Sequence, residues 1–392
     1  MKNNNLSKIY ILSFSVMLIL YGFNNIDLTP GIKLMYLILP MLLSIYLFKH
    51  SFIISSELRI IIILVTSMLL STINTLIFNP DGMQTVILAD AKLVIILLLL
   101  IPFYGFYLTN ATLFNATVPY IAFIFMLSNV VYYFIYYDFS ARFEGLFGGA
   151  NEFAFFIILY IYLMYYNIFH HNKNNILNIV TLVGLHLLVF VTLSRGAMIG
   201  LVIFYLIAYP YFKHVISLRQ KAILIFLIII LVFLSMERLN KSIELLERRF
   251  TGGEGSHSLS SRVNEINAGF RFLDKHVLTV LLGNGTSISS SPEVYKKYYK
   301  QGQDFHRIHN SYFAIILENG LISFSIFIYL LLSLLNRIYR LNDRYKYVIF
   351  GYLFFILFFM FFIYMLYFLP FWLGILMINL HIKKLEEKRL CI

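Results

Sequence analysis

Long apolar runs separated by short polar stretches form the dominant pattern along the chain. A helix of about 20 apolar residues spans the roughly 30 Å hydrocarbon core of a bilayer. On this criterion the sequence predicts twelve transmembrane helices, near residues 9–26, 31–48, 58–78, 85–108, 117–137, 152–169, 176–193, 196–212, 220–236, 309–335, 346–363 and 365–382. The last two are divided from one run because that run is nearly twice the length of a single span. The pattern therefore predicts an all-α polytopic membrane bundle, a single membrane domain over residues 1–392.

The composition supports a membrane location and excludes several other classes of protein. Hydrophobic residues make up 60% of the chain, charged residues make up 13%, and the mean hydropathy is +0.80, far from a soluble domain. A net charge of +12 would suggest a nucleic-acid partner for a soluble protein, but here the expected partner is the lipid bilayer. The single cysteine, Cys391, excludes an internal disulfide and a cysteine-ligated metal site.

The distribution of basic residues predicts the orientation in the membrane. With the N-terminus in the cytoplasm, sixteen lysines and arginines fall in predicted cytoplasmic segments, whereas the short outer loops hold only Lys33, Arg142 and Arg195. This asymmetry satisfies the positive-inside rule. Because twelve spans return the chain to the side on which it starts, both termini are predicted to be cytoplasmic.

One predicted loop, residues 237–308, is much longer than the others and lies on the outer face between the ninth and tenth helices. It carries eleven basic and eight acidic residues, and long loops cross the membrane largely regardless of charge. Within it, residues 252–261 are predicted to be a flexible link. Four apolar residues with helical spacing follow: Val263, Ile266, Phe270 and Leu273. They predict an amphipathic helix near the membrane surface.

Four unusual polar stretches all fall on the predicted outer face. They are "RFEGLFGGANEFA" (142–154), "LSRGA" (193–197), "SSRVNE" (260–265) and "HRIHNSYFAIILENGL" (306–321). Their common location favours a single site at that face.

Three arginines in these stretches are candidate anion ligands. Arg195 is either an interfacial anchor or, with Ser194 and Gly196 beside it, part of a tight turn at a helix start, where backbone N–H groups and a guanidinium suit a phosphate. Arg142 precedes several glycines, which favour a close approach of the backbone to another group. Arg262 lies in the long loop, and both interpretations stay open for it.

Two candidate roles are open for His309, which precedes an apolar helix. It is either a cap-region histidine with one local hydrogen bond, or a general base for a hydroxyl group. Asn310 is a capping candidate next to it. His306 is three residues away, but no third ligand has a matching spacing and the chain has no Asp-x-Asp sequence, so no metal is expected.

Charged residues inside the predicted helices need partners. Glu318 is nine residues beyond His309, about 13 Å along a helix, so the two cannot form a pair within it. A neighbouring helix or an arginine is its expected partner. Asp90 and Lys92 are two positions apart and do not face each other, so each is expected to pair elsewhere, as structural polar groups or as part of a substrate pocket.

Two of the quoted stretches carry a resemblance to a known family. "TLSRGAMIGL" (192–201), followed after the long loop by "HNSYFAIILENGLISFSIFIYLLL" (309–332), resembles the paired signature of the O-antigen ligase and O-antigen polymerase superfamily of bacterial envelope glycosyltransferases. "RFEGLFGGANEFA" and "SSRVNEINAGFRFL" with the later "LLGNG" are similar to two looser patterns of that family.

The resemblance implies a C-type glycosyltransferase-like bundle in the bacterial inner membrane, with the large periplasmic loop over the site. It implies a glycan on undecaprenyl diphosphate as donor, Arg195 and Arg262 as diphosphate ligands, Arg142 as a less secure third, and His309 as the base, with Asn310 and Glu318 in support. No metal and no cofactor are implied, and a chain-length regulator and a flippase are implied partners.

The resemblance leaves three functions to compare. The glycine-rich stretch 142–154 is more similar to the polymerases of lipopolysaccharide and capsule biosynthesis, which extend a lipid-linked repeat unit. A ligase would instead transfer the polymer to lipid A core. A lipid-linked oligosaccharide flippase or other transporter would show an internal repeat and ionisable residues near the midplane, whereas here the unusual residues gather at one face.

Overall fold

The computed structural model describes residues 2–21, 27–29, 32–33, 55–136, 143–145, 149–171, 176–215, 254–273, 277–298 and 308–390. The predicted ninth helix and most of the predicted second helix lie outside these residues. The total of twelve helices therefore stays a prediction.

Helices dominate the described residues. In chain order they are α1 Lys2–Tyr21, α2 Ser56–Phe78, α3 Met83–Tyr136, α4 Ala150–His171, α5 Ile176–Val191, α6 Arg195–Val215, α7 Glu254–Leu273, α8 Val277–Leu282, α9 Pro292–Tyr295, α10 Ser311–Ala314, α11 Gly320–Arg340, α12 Lys346–Phe359 and α13 Leu369–Leu390. Short 3₁₀ turns occupy Pro80–Gly82, Ile288–Ser290 and Lys296–Tyr298, and a π-helical turn, Ile315–Asn319, joins α10 to α11.

Among the described residues, five stretches are long and apolar enough to cross a membrane. These stretches are Ser56–Phe78, Pro80–Ile135, Ala150–Ile168, Arg195–Lys213 and Ser311–Arg340. The structure thus agrees with the prediction of a helical membrane protein.

Three details differ from the sequence analysis. The chain is not entirely α-helical, because β1 (Asp27–Thr29) and β2 (Ile32–Lys33) form a short antiparallel ribbon. Ile32 and Lys33 are therefore in a strand and not in the helix predicted from residue 31. The link predicted at 252–261 is largely helical from Glu254 onward, a stretch that contains no proline to prevent it.

The predicted helices near 85–108 and 117–137 join into α3 without a loop. Asn110 alone leaves the helical region, with φ −134° and ψ 31°, and kinks α3 there. Its side-chain amide donates to the Phe106 carbonyl at 3.3 Å and to Thr109 Oγ1 at 2.8 Å. Such local side-chain bonds compete with the helical hydrogen bonds and favour a kink.

The chain forms two compact units. The first contains Met1–Ile53, Ile101–Glu247 and Asn342–Phe355. Its centre is α4, whose side chains from Phe153 to Tyr166 are all buried. The Tyr162 ring stacks on the Tyr352 ring with centroids 4.1 Å apart, and Phe155 stacks on Phe355.

The second unit contains Ile54–Leu100, Arg248–Leu341 and Ile356–Ile392, and is built around α2 and α11. The two helices run antiparallel, since Ser67 Oγ lies 2.9 Å from Ser323 Oγ while Glu57, early in α2, contacts Arg337, late in α11. The end of α2 therefore lies beside the turn that leads into α11, and the candidate site forms at this end.

The opposite end of the second unit is closed by Arg337. Its Nη1 lies 2.6 Å from Glu57 Oε1 and donates to Asn379 Oδ1, and its Nε and Nη2 hold both oxygens of Glu386 at 3.1 and 2.6 Å. One guanidinium thus joins α2, α11 and α13. Because Glu57 is only 4% exposed, its carboxylate depends on this cation.

Replacing Arg337 should therefore destabilise the protein far more than replacing an exposed lysine. We expect Arg337→Gln to lower the free energy of unfolding by about 3 kcal/mol, because it leaves the Glu57 carboxylate buried and unpaired. The control is Lys384→Gln, which breaks an exposed pair with Glu387 and should cost less than about 1 kcal/mol. Unfolding in mixed detergent micelles measures both, and equal effects would contradict the assigned role.

Candidate functional site

His309 and Glu265 form a hydrogen-bonded pair in the second unit. His309 Nδ1 lies 3.0 Å from Glu265 Oε1 and 3.1 Å from Oε2, and the His309 backbone N–H donates to Oε2 at 3.2 Å. The Glu265 side chain is 4% exposed, and the His309 side chain is 37% exposed. A buried carboxylate thus holds one face of a half-exposed imidazole.

The free nitrogen of this imidazole is available for chemistry. Within the part of the chain that the structure describes, His309 Nε2 has no hydrogen-bond partner. A carboxylate at Nδ1 favours a proton on that nitrogen, which leaves Nε2 as the acceptor. The arrangement can therefore accept a proton from a hydroxyl group placed at Nε2.

The capping role falls to Asn310, not to His309. Asn310 Oδ1 accepts a hydrogen bond from the Phe313 N–H at 3.0 Å and caps α10. The partner of His309 lies 44 residues away, so the local cap-region interpretation of this histidine is wrong. The capping prediction for Asn310 agrees with the structure.

Glu265 lies on the buried face of α7. Glu265, Ala268 and Phe272 are buried, whereas Val263 and Phe270 are 51% and 59% exposed. Two of the four apolar residues that predict this helix are therefore mostly exposed. An exposed apolar stripe next to membrane helices fits a location at the lipid surface.

Glu318 is fully buried and holds the loop 283–291. Its Oε2 accepts from the Ser287 N–H at 2.9 Å and from the Tyr364 hydroxyl, and its Oε1 accepts from the Ser289 hydroxyl at 2.5 Å and the Ser289 N–H at 3.3 Å. The predicted need for a partner is met by this loop and by Tyr364, and not by an arginine. Burial, and then the neighbouring Glu318, raise the pKa of the Tyr364 hydroxyl well above its usual range, so Tyr364 stays a donor.

The same loop packs backbone against backbone on the π-helical turn. The Gly285 N–H donates to the Glu318 carbonyl at 2.9 Å, and the Asn284 N–H donates to the Leu317 carbonyl at 3.2 Å. Gly283 (φ 89°) and Gly320 (φ 78°) are in the left-handed region, and a Cβ on Gly283 would lie 2.2 Å from the Glu318 carbonyl oxygen. Only glycine fits at these positions.

Asp90 lies in the second unit and Lys92 is exposed. The Thr72 hydroxyl donates to Asp90 Oδ2, while Asp90 Oδ1 is buried without a hydrogen-bond partner among the described residues. Asp90 thus pairs with a neighbouring helix, α2, as expected of an intramembrane carboxylate.

Arg195 lies in the first unit and is the first residue of α6. The turn before it is tight, because Leu193 adopts φ 50° and the Ser194 N–H donates to Thr192 Oγ1 at 3.2 Å. Ser194 Oγ accepts from the Ala197 N–H at 3.3 Å and donates to Asn151 Oδ1 at 2.9 Å. The predicted tight turn at a helix start is present, and it is tied to α4.

The remaining predicted site residues are described less fully. Arg262 lies in α7, three residues before Glu265, but its side chain is outside the described part. Arg142 and His306 lie wholly outside it. Over the described ranges, no three His, Cys, Asp or Glu side chains come together as a metal site.

Glu265 is the member of this site that sequence reasoning missed. It lies in the quoted stretch "SSRVNE", from which only Arg262 is predicted as a site residue. The available signal was its position three residues after Arg262 in a predicted helix, but nothing local links it to His309.

The helices define the class of the chain, which is a multi-pass α-helical membrane protein. Residues 179–328 match the family model described as O-antigen ligase. This match extends from α5 into α11 and includes Arg195, Arg262 and His309. It confirms the resemblance of these residues to the O-antigen ligase and O-antigen polymerase superfamily. A search of the curated proteins finds no match to the chain.

The close packing at Gly283 generates a stability prediction. We expect Gly283→Ala to lower the free energy of unfolding by at least about 2 kcal/mol, because alanine disfavours the positive φ and its Cβ meets backbone that cannot move aside. As a control, Gly149→Ala should cost less than about 1 kcal/mol, since its Cβ meets only the flexible end of Glu152. Thermal unfolding in detergent compares them, and a harmless Gly283→Ala would show that the packing is looser than described.

Proposed function

We propose that this protein is an O-antigen or capsular polysaccharide polymerase. It transfers a glycan chain from undecaprenyl diphosphate to a sugar hydroxyl of a lipid-linked repeat unit, at the outer face of the inner membrane, with both termini in the cytoplasm. The observation that carries the proposal is the half-exposed His309, held at Nδ1 by the buried Glu265 inside the matched family region.

The proposed step is a direct displacement with inversion. His309 Nε2 takes the proton of the acceptor hydroxyl, and the oxygen forms a bond to the anomeric carbon of the donor. The bond from that carbon to the diphosphate oxygen breaks, and its electron pair leaves with the diphosphate. Glu265 keeps the imidazole in the required tautomer and stabilises the imidazolium that forms.

Arginines are the proposed ligands of the departing diphosphate. Arg195 starts α6, where the first N–H groups of the helix and the guanidinium favour the same anion. Arg262 and Arg142 are assigned the same role from the family resemblance. The reaction then needs neither a metal nor a cofactor, because the arginines balance the charge that develops on the leaving group.

A ligase is the alternative function, since the matching family model is described as O-antigen ligase. The polysaccharide of a deletion strain separates the two. A single repeat unit on lipid A core indicates a polymerase, whereas long polymer left on undecaprenyl diphosphate indicates a ligase. Lipid-linked repeat units left unpolymerised at the cytoplasmic face would instead indicate a flippase.

Substitutions of the His309–Glu265 pair should lower turnover. Loss of the base in His309→Ala should reduce kcat by about 10²–10⁴-fold. Glu265→Gln should also reduce kcat, by about tenfold or more, because one amide oxygen must then serve both the backbone N–H and Nδ1. Polymer formation from purified lipid-linked repeat units measures both effects, while donor binding should stay near wild type.

Two controls belong with this assay. His309→Asn keeps a polar residue before the cap, so full activity in that variant would end the general-base proposal. Activity should also persist in excess EDTA. Loss on chelation, restored by a divalent ion, would overturn the metal-free step.

Arg195 should need its guanidinium and not only its charge. We expect Arg195→Lys to lose most activity while the protein accumulates normally in the membrane, because lysine cannot form two parallel hydrogen bonds to a phosphate. The matched control is Lys213→Arg at the other end of α6. Near-normal polymer from Arg195→Lys would return Arg195 to the interfacial-anchor interpretation.

A further inference from the structure

A small pocket opens in the second unit, at the same end as the His309–Glu265 pair. It has a volume of about 140 Å³. That is too large for one ordered water and smaller than the sites of drug-sized ligands. Its walls come from five segments: the end of α2, α7, α8, the following loop at Asn284, and the turn Lys296–Tyr298.

Asn79 is the polar group in this pocket that lacks a partner. It is 9% exposed, and its side chain makes no capping bond to the turn that follows it. No described residue hydrogen-bonds to its side-chain amide. The amide carries one acceptor oxygen and two donor N–H groups, so it can bind a ligand group that both donates and accepts.

Aromatic rings supply the apolar part of the lining. Phe78, Phe272 and Tyr298 face the pocket, and the rings of Phe272 and Tyr298 lie 4.8 Å apart. Arg271 Nε donates to the Tyr298 carbonyl at 2.7 Å and fixes that turn. Rings beside an amide fit a sugar, which has apolar C–H faces and hydroxyl edges.

The charge of the lining and the position of the pocket on α7 further restrict the class of ligand. Lys297 lines the pocket with its Nζ 5.6 Å from the Tyr298 ring centroid, and among the described residues of the lining there is no carboxylate. Phe272 follows Glu265 by seven residues on the buried face of α7, so the pocket lies about 10 Å along the helix from the His309–Glu265 pair. That separation suits a sugar one or two units away from the reacting hydroxyl.

We propose that this pocket binds one sugar ring of the glycan, with its C–H face on Phe272 and Tyr298 and its hydroxyl groups on Asn79. Lys297 favours a ring with an acidic substituent. The assignment of this sugar to the acceptor rests on the proposed polymerase function, whereas the binding of a sugar does not.

Saturation-transfer NMR on the full chain in lipid nanodiscs tests the binding. The probes are glucose, galactose, N-acetylglucosamine and glucuronate, each added alone. We expect saturation transfer to the ring C–H protons of at least one sugar, strongest for glucuronate. Asn79→Leu, which replaces the amide with an apolar group of similar size, should reduce the signal at least fivefold, and His309→Ala should leave it unchanged.

Lys296 and Lys297 are adjacent and exposed, so replacing either should leave folding intact and the two variants form a matched pair. Lys297→Leu should weaken the glucuronate signal, whereas Lys296→Leu, which is outside the pocket, should not. Equal signals in wild type, Asn79→Leu and Lys297→Leu would overturn the pocket proposal, as would the absence of signal for all four sugars.

Kinetics separate this proposal from the proposed function. If wild type forms polymer, Asn79→Leu should raise the acceptor KM about tenfold with kcat near wild type, unlike the kcat effect of His309→Ala. If wild type binds sugar through Asn79 but forms no polymer, the polymerase proposal fails and the pocket stands. If polymer forms with an unchanged KM and no sugar signal, the pocket proposal alone fails.

Discussion

The buried carboxylate of Glu318 is the constraint on which the end of the second unit depends. A carboxylate placed at 0% exposure is tolerated only when its oxygens are hydrogen-bonded. Ser287, Ser289 and Tyr364 supply those bonds, and all three lie in connections between the longer helices. The hydrogen bonds of this one carboxylate thus hold the loop 283–291 and the connection between α12 and α13 against the turn before α11.

The positions of the candidate site residues follow from that anchoring. Ser311, two residues after His309, donates its N–H to Met360 at 2.8 Å, so the start of α10 is held by the same α12–α13 connection that carries Tyr364. The loop 283–291 follows α8. Asn74 Nδ2, near the end of α2, donates to the Gly283 carbonyl and so holds the start of this loop beside α2. A rigid entrance to α10 keeps His309 where the carboxylate of α7 can reach it.

The sequence predicted much of this site but not its central pairing. The histidine before an apolar helix, the asparagine cap, the tight turn at Arg195 and the need of Glu318 for a partner are all local features, and each can be inferred from neighbouring residues. Glu265 could not be inferred, because its partner is 44 residues away and the apolar spacing of α7 draws attention to the wrong face. In a soluble protein Val263 and Phe270 would be expected in the core. Next to a bilayer they can stay exposed at little cost, while the face that carries Glu265 packs inward. The prediction of two separate helices near 85–108 and 117–137 was wrong for a similar reason. No local signal between residues 108 and 117 distinguishes a loop from a kinked continuation of α3.

Some polar groups of the second unit are fully satisfied by protein partners, whereas others, among them Asp90 Oδ1, are not. Two of the groups left open lie at the candidate site and its pocket. Arg337 and Glu318 use their charged atoms fully on protein partners, as expected of groups that stabilise the fold. His309 Nε2 and the Asn79 side chain have no such partners within the described residues, although each lies on a residue that the fold positions firmly. Groups that served stability alone would gain from being paired or replaced by apolar side chains. Two polar groups held in place and left open, on the same end of one unit and beside the same face of α7, are therefore best explained by a polar ligand that passes both, and a glycan chain has the length and the hydroxyl groups to do so.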